Sequence, residues 1–217
     1  MSMFKLKSAA LGAALLASGA SAGAVTLLSE GFDSVPALAG NGWVLNNLSS
    51  PGGSTGWYQG DGTIYAAQSG SDESYAAANF NNAPAGGTIS NWLITPTFST
   101  ALATTITFYA RADLFAPFFD QIAYGLSGGS SDSAAFTLGS PVTLGGDWTK
   151  YTVNVAAGGA GSTARFAIVY RGAADDANYI GIDTLAINAV PEPATWLMFG
   201  AGLIGLAVRR RQRGSAA

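Results

Sequence analysis

The side chains best suited to covalent and acid–base catalysis are missing from this sequence. It contains no cysteine and no histidine, which excludes disulfides, thiol nucleophiles, zinc and copper sites built on those residues, and imidazole as a catalytic base. Carboxylates remain, and two of them held about 5 to 10 Å apart across a cleft can hydrolyse glycosidic bonds. The adjacent pairs are Asp72–Glu73 and Asp175–Asp176. Because neighbouring residues on a strand point to opposite faces, these pairs are predicted to be solvated turn residues, and we expect no enzyme activity.

Two other carboxylates are predicted to lie on apolar strand faces. Glu30 shares a face with Leu28 on the first predicted strand, and Asp183 shares a face with Leu185 on the last. The terminal strands of a β-sandwich commonly lie side by side, and two partly buried like charges require a cation or a proton. Calcium takes six to eight oxygen ligands, and Asp33 and backbone carbonyls are further candidate donors. Glu30, Asp33 and Asp183 therefore form a candidate site for a structural calcium ion, the one cofactor that the sequence suggests.

The charge on Asp183 could also be accommodated without calcium. Arg165 or Arg171 could pair with it, hydrogen bonds could satisfy it, or the two carboxylates could face solvent. The residue types alone leave these arrangements open.

Aromatic residues provide a candidate carbohydrate contact. The segment Gly56–Gly60 places Trp57 and Tyr58 beside Gln59 between glycines, a composition suited to stacking on a sugar ring and bonding its hydroxyls. The other tryptophans before the C-terminal segment lie in or beside apolar strands and are expected to fill the core. Trp57, Tyr58 and Gln59 are therefore the candidate ligand residues.

The segment Leu114–Phe119 places three phenylalanines beside a proline between polar stretches. It is interpreted either as a loop folded over the end of the core or as an exposed apolar patch that contacts a partner.

The elements that must position these residues are short strands. The central part of the chain alternates brief apolar runs with Gly, Ser, Asn and Pro, and it shows no helical period of useful length. This pattern predicts an all-β fold, an antiparallel β-sandwich of the jelly-roll type. The predicted strands are Thr26–Phe32, Trp43–Asn46, Thr63–Gln68, Ser74–Phe80, Asn91–Thr95, Thr104–Ala112, Gln121–Leu126, Trp148–Val155, Ala164–Tyr170 and Tyr179–Asn188.

Both ends of the chain are typical of targeting segments. Residues 1–24 combine Lys5 and Lys7 with an apolar stretch and small residues at two cleavage positions, as in a secretory signal peptide with a signal helix. At the other end, an apolar run over 194–208 would span about 22 Å as a helix, which is short for a bilayer core of about 30 Å. The arginines that follow are expected to stay in the cytoplasm. We therefore predict a globular domain over 25–189 between two processed segments.

The C-terminal segment, 190–213, combines a Pro-Glu-Pro motif, a transmembrane-like helix and a basic cluster; the motif residues are Pro191, Glu192, Pro193, Arg209, Arg210 and Arg211. This three-part segment resembles the PEP-CTERM sorting signal. The resemblance implies transient insertion in the inner membrane of a Gram-negative bacterium that makes extracellular polysaccharide. It also implies processing by an exosortase, after signal peptidase has acted at the N-terminus.

Several short segments of the central domain form a recognisable set: Glu30–Phe32, Gly42–Trp43, Gly56–Gly60, Tyr75–Asn82, Ile89–Pro96, Thr107–Arg111, Asp120–Ile122 and Tyr179–Thr184. Together they resemble the choice-of-anchor J family, which is similar to cleaved-adhesin and MAM-type jelly rolls. The resemblance implies an extracellular module and assigns no ligand.

Charge narrows the choice of partner. Four basic and twelve acidic residues between positions 23 and 190 leave a net charge of −8, so the domain lacks the basic patch that nucleic-acid binding requires. The sequence as a whole predicts an exported surface or extracellular-matrix protein, a non-catalytic module that is adhesive or associated with extracellular polysaccharide. A secreted glycan-active enzyme that uses carboxylates alone and a purely structural coat protein are the alternatives.

Overall fold

The computed structural model describes residues 23–190 and, in the C-terminal segment, residue 202. The predicted signal helix and the predicted transmembrane-like helix lie outside the described residues, as do all six residues of the sorting motif. Among the residues that are described, no helix is long and apolar enough to cross a membrane.

Residues 23–190 fold into two antiparallel β-sheets that pack as a sandwich. The first sheet has six strands: β1 (Val25–Glu30), β3 (Tyr58–Gln59), β4 (Ala76–Asn79), β7 (Thr104–Ala112), β11 (Thr149–Val155) and β13 (Tyr179–Ala189). The second sheet has seven: β2 (Val44–Asn47), β5 (Thr88–Ile94), β6 (Phe98–Ser99), β8 (Gln121–Ser127), β9 (Thr137–Leu138), β10 (Val142–Thr143) and β12 (Thr163–Ala173). Short 3₁₀ turns connect some of them: Val35–Asn41, Phe80–Asn82, Ser133–Ala135 and Ala174–Asp176. The all-β prediction is confirmed.

Side-chain alternation explains why β7 lies where it does. Its even-numbered side chains, such as Ile106 and Phe108, are fully buried between the sheets, whereas Tyr109 and Arg111 on the opposite face are only half-buried. A period of two residues places one face on the core and the other toward solvent. The strict alternation over Thr104–Ala112 was enough to predict this strand with its observed bounds.

The long strand β13 organises the first sheet. It pairs with β7 along one side, and along the other it pairs first with β4 and then with β1. The register with β7 shifts between Asp183 and Ala186, and Thr184 within this bulge has a positive φ of 48°. A bulge inserts an extra residue and changes which face the following side chains occupy.

One predicted strand is wrong. Residues Thr63–Gln68 form no strand, because their backbone bonds locally: the Ile64 N–H donates to Asp61 O at 3.0 Å, and the Ala67 N–H donates to Asp72 O at 3.0 Å. The segment instead lies across the outer face of the first sheet. There, Tyr65 stacks on Tyr75 with ring centroids 5.1 Å apart.

Candidate binding surfaces

Trp57 does not form a surface platform. Its side chain is only 7 % exposed and belongs to the main hydrophobic core, so its ring cannot stack on a sugar at the surface. This corrects the sequence-based expectation. The flanking glycines suggested an exposed turn, but the short strand that follows carries the chain across the edge of the first sheet and turns the indole inward.

Gln59 is occupied by structural hydrogen bonds. Its Nε2 donates to Phe32 O at 2.9 Å and to Glu73 O at 2.6 Å, and its Oε1 accepts from the Val35 N–H at 2.8 Å. Tyr58 is half-buried, and burial raises the pKa of its hydroxyl far above the usual range. Gln59 therefore holds together the turn after β1, and a role for it in ligand binding would break these bonds.

Asp183 is fully buried, but on the other side of the sheet from the one predicted. Ile182 before it and Leu185 after it both point into the core between the sheets, which the bulge at Asp183 and Thr184 makes possible. Asp183 pairs in register with Tyr109 and points to the outer face, where residues 68 and 69 cover it. The prediction from simple alternation was wrong because it assumed a regular strand.

Hydrogen bonds satisfy the Asp183 carboxylate. Its Oδ2 accepts from the N–H groups of Gln68 at 2.8 Å and Ser69 at 3.0 Å, and its Oδ1 accepts from the Thr184 N–H at 2.5 Å. Burial raises the pKa of Asp183 above its usual range, and these donors offset part of that shift. Arg165 does not pair with Asp183, since its guanidinium donates to backbone carbonyls, including Thr95 O at 2.8 Å. Backbone donors, rather than an arginine or solvent, surround this carboxylate.

The other two candidate calcium ligands have partners of their own. The Glu30 Oε1 accepts from the Phe32 N–H at 2.8 Å, and the Asp33 Oδ1 accepts from Ser74 Oγ at 2.8 Å. Within residues 23–190, no group of three or more acidic side chains is arranged to hold a metal ion. The donor atoms are all oxygens, as calcium requires, but they do not converge. A structural calcium ion at Glu30, Asp33 and Asp183 stays a prediction.

A cleft of about 440 Å³ opens at one end of the sandwich, where the loops after β4, β7 and β12 meet. Its walls are mainly apolar and are formed by Phe80, Ala83, Pro84, Phe118, Ala174 and Ala177. Three polar residues also line it: Asn81, Asp175 and Asn178. An apolar concavity with a few polar groups is the usual form of a ligand site. We call it the loop-end cleft.

Backbone hydrogen bonds between the three loops hold the loop-end cleft in shape. The Phe80 N–H donates to Asn178 O at 2.9 Å, and the Phe119 N–H donates to Asp176 O at 2.8 Å. Beneath them the buried Asp120 accepts at Oδ1 from the Tyr170 hydroxyl at 2.5 Å and from the Asn178 N–H at 2.9 Å. Burial raises the pKa of Asp120, against the lowering effect of these hydrogen bonds. The cleft is therefore preorganised.

An exposed apolar rim borders the loop-end cleft. Leu114, Phe115 and Phe119 are 61 %, 64 % and 47 % exposed, and Phe80 on the facing loop is 45 % exposed. Phe115 and Phe118 stack on each other with centroids 6.1 Å apart. Of the two interpretations of Leu114–Phe119, the structure therefore shows the exposed patch.

The cleft contains little that could catalyse a reaction. Asp175 is its one ionisable lining residue; it is exposed, and both its oxygens accept from the Gly86 N–H at 3.1 Å. Carboxylate-dependent glycoside hydrolysis requires a pair of carboxyl groups facing each other across the substrate. The mainly apolar walls of the loop-end cleft are suited to binding a ligand rather than to acid–base catalysis.

Sequence reasoning missed Phe80 and Asn178 as parts of this site, and it assigned Asp175 to a solvated turn. The only available signal was the aromatic composition around Phe118, because the three loops are far apart in the chain and meet through the sheet topology.

Comparisons with known proteins bear on the C-terminal segment and on the fold of the globular part. Residues 189–211 match the PEP-CTERM protein-sorting motif, which implies an exported surface protein. No curated protein matches the chain. Among solved structures, the K3 cleaved adhesin domain of Lys-gingipain from Porphyromonas gingivalis is similar with a TM-score of 0.59 and 21% identity, covering 76% of this chain and 99% of that one. The K1 cleaved adhesin domain of Lys-gingipain from the same organism has a TM-score of 0.58 and 23% identity, and the match covers 76% of this chain and 99% of that one. The chain thus carries a sorting motif and shares the fold of cleaved adhesin domains.

Proposed function

We propose that this protein is a non-catalytic adhesive or polysaccharide-associated module of the cell surface or extracellular matrix. In this proposal the globular part covers residues 25–189 and is a jelly roll of the choice-of-anchor J type. Signal peptidase removes residues 1–24, and an exosortase processes the segment 190–213 during transient insertion in the inner membrane of a Gram-negative bacterium. The sorting motif at 189–211 and the cleaved-adhesin fold support this assignment.

The observation that carries the adhesive function is the loop-end cleft with its apolar rim. Soluble monomeric proteins seldom expose several large apolar side chains side by side, and such patches usually mark contact surfaces. Here Leu114, Phe115 and Phe119 lie on one loop, and Phe80 lies on the neighbouring one. Burying each of them against a partner contributes about 25 cal/mol per Å² of apolar surface removed from water.

The rigidity of the cleft favours binding as well. The hydrogen bonds from Phe80 to Asn178 and from Phe119 to Asp176 fix the loops before a partner arrives, so little conformational entropy is lost on association. A single exposed carboxylate, Asp175, gives the cleft no acid–base pair, and nothing in the described residues favours the glycan-active enzyme over the adhesive module.

Retention on the native cell surface tests this function. Phe115→Ala removes the most exposed aromatic side chain of the rim, and we expect it to lower the amount of protein retained after washing. Leu102→Ala is the matched control, because Leu102 is 42 % exposed but lies on the connection before β7, at the opposite end of that strand from the loop that carries Phe115. Equal retention of wild type and Phe115→Ala would contradict an adhesive role of the cleft, as would an equal loss in both variants.

A further inference from the structure

The outer face of the first sheet carries a row of cationic and aromatic side chains, none of which lines the loop-end cleft. Tyr109 and Arg111 alternate with buried residues on β7, and Lys150 on the neighbouring β11 lies opposite Tyr109 in register. Trp148, immediately before β11, lies beside Arg111, with the Arg111 Cζ 5.8 Å from its ring centroid. We call Tyr109, Arg111, Trp148 and Lys150 the cation–aromatic strip.

Each cation of the strip lies over an aromatic ring. The Cζ of Arg111 is 3.9 Å from the ring centroid of Tyr65, and the Nζ of Lys150 is 6.0 Å from that of Tyr109. Such contacts hold the charged groups in place while leaving their remaining N–H donors free for another partner. Trp148 is itself fixed, since its Nε1 donates to Ala66 O at 2.9 Å.

Neither cation has an acidic partner. In the part of the chain that the structure describes, no salt bridge joins Arg111 or Lys150 to a carboxylate, and the Nε of Arg111 is buried without any hydrogen bond. The nearby Asp113 turns its Oδ2 toward the Nδ2 of Asn178, at 3.3 Å. Acidic residues outnumber basic ones by twelve to four between positions 23 and 190, so two adjacent unpaired cations are unexpected there. Because this Nε is enclosed by the protein, the donors that Arg111 offers to a ligand are its terminal Nη groups, which form no hydrogen bond among the described residues.

We propose that the cation–aromatic strip binds an acidic polysaccharide, a chain whose sugar rings carry carboxylate groups. The planar guanidinium of Arg111 is suited to a carboxylate, which can accept two parallel hydrogen bonds from it. Lys150 supplies a second charge one strand away, and the faces of Trp148 and Tyr109 provide apolar surface for the ring carbons.

The overall charge of the domain sets the range over which this binding acts. A net charge of −8 repels a polyanion at a distance, so attraction is confined to direct contact with the strip. At about 0.1 M salt the screening length is about 10 Å, which weakens the long-range repulsion while the contacts persist. The strip shares no lining residue with the loop-end cleft, and either proposal can fail without the other.

Affinity electrophoresis of the full chain, purified in detergent, tests the strip. Gels would contain polygalacturonate as the acidic polysaccharide or dextran as the neutral one. We expect wild type to be retarded by polygalacturonate and not by dextran. Lys150→Gln should weaken binding about threefold, because it removes one exposed charge. Arg111→Gln should weaken binding about tenfold, because it removes a charged group that can donate two hydrogen bonds to one carboxylate.

Arg171→Gln is the matched control. It removes the same charge from an exposed residue of β12, in the other sheet, and should bind as wild type does. Because Arg111→Gln could also disturb the packing of Tyr65, the exposed Lys150→Gln variant must show its own loss. The proposal is overturned if polygalacturonate does not retard wild type, if dextran retards it equally, or if Arg171→Gln weakens binding as much as Lys150→Gln.

Discussion

Replacing Tyr170 by Phe removes the hydroxyl that supports the base of the loop-end cleft. Tyr170 is fully buried, and its hydroxyl donates to the Oδ1 of Asp120, which is 2 % exposed, at 2.5 Å. A hydrogen bond to a charged group contributes about 1.5 to 3 kcal/mol, and the phenylalanine ring keeps the packing. For a chain of this size each 1 kcal/mol shifts Tm by about 2 to 4 °C, so we expect Tm to fall by about 3 to 12 °C at neutral pH.

The loss should depend on pH in a defined direction. Burial places the pKa of Asp120 above its usual range, and the Tyr170 hydroxyl lowers it; removing the hydroxyl therefore raises this pKa further. A group whose pKa is raised on folding contributes stability that is present below the pKa of the unfolded chain and is lost as pH rises through the pKa of the folded chain. The deficit of Tyr170→Phe relative to wild type should thus be larger at pH 7 than at pH 4.

Thermal melts at the two pH values measure this deficit. Tyr151→Phe is the control, because Tyr151 is half-buried, stacks on Phe108, and forms no hydrogen bond through its hydroxyl among the described residues. It should change Tm little at either pH. A Tyr170→Phe variant that loses less than about 1 °C, or that loses the same at both pH values, would refute the role given to Asp120.

Three further outcomes are expected. Trp57→Ala should lower the free energy of unfolding by about 3 to 5 kcal/mol in denaturant titrations, as for a large core aromatic; a change below about 1 kcal/mol would show that the indole is not packed in the core. If calcium binds at Glu30, Asp33 and Asp183, chelator should lower the Tm of wild type and leave that of Asp183→Asn unchanged, whereas an unchanged wild-type Tm would exclude a stabilising ion. The intact mass of protein from the native surface should correspond to a chain that begins at Gly23 or Val25 and has lost everything after the Pro-Glu-Pro motif; a mass that still includes Arg213 would contradict the sorting proposal.

The glycine at position 181 shows how local sequence and tertiary packing combine. Gly181 lies on β13 opposite Arg111, and a Cβ atom there would approach Trp148 and Tyr75 to 2.8 Å and the Tyr65 hydroxyl to 2.9 Å. Only a residue without a side chain allows this aromatic cluster to lie flat on the sheet. The sequence contains the glycine, but its reason appears only when four separate segments come together.

The all-β class, most of the longer strands and the C-terminal sorting motif could be predicted from the sequence. They depend on patterns that are local in the chain: alternation with a period of two residues, as over Thr104–Ala112, and the order of Pro-Glu-Pro, apolar run and arginines. Thr63–Gln68 has a similar local pattern but is no strand. Its backbone N–H groups instead donate to nearby carbonyls, and Tyr65 packs onto the outer face of the first sheet.

Only the tertiary structure determined where the side chains that could bind a ligand are placed. One bulge at Asp183 and Thr184 moved a carboxylate from the predicted inner face to the outer face, and alternation cannot reveal a bulge because it assumes one residue per step. The loop-end cleft joins loops that follow β4, β7 and β12, and the cation–aromatic strip joins β7 to β11. Their residues are distant in sequence, and they become neighbours because antiparallel pairing brings separate strands together, which is a property of the whole sheet rather than of any one segment.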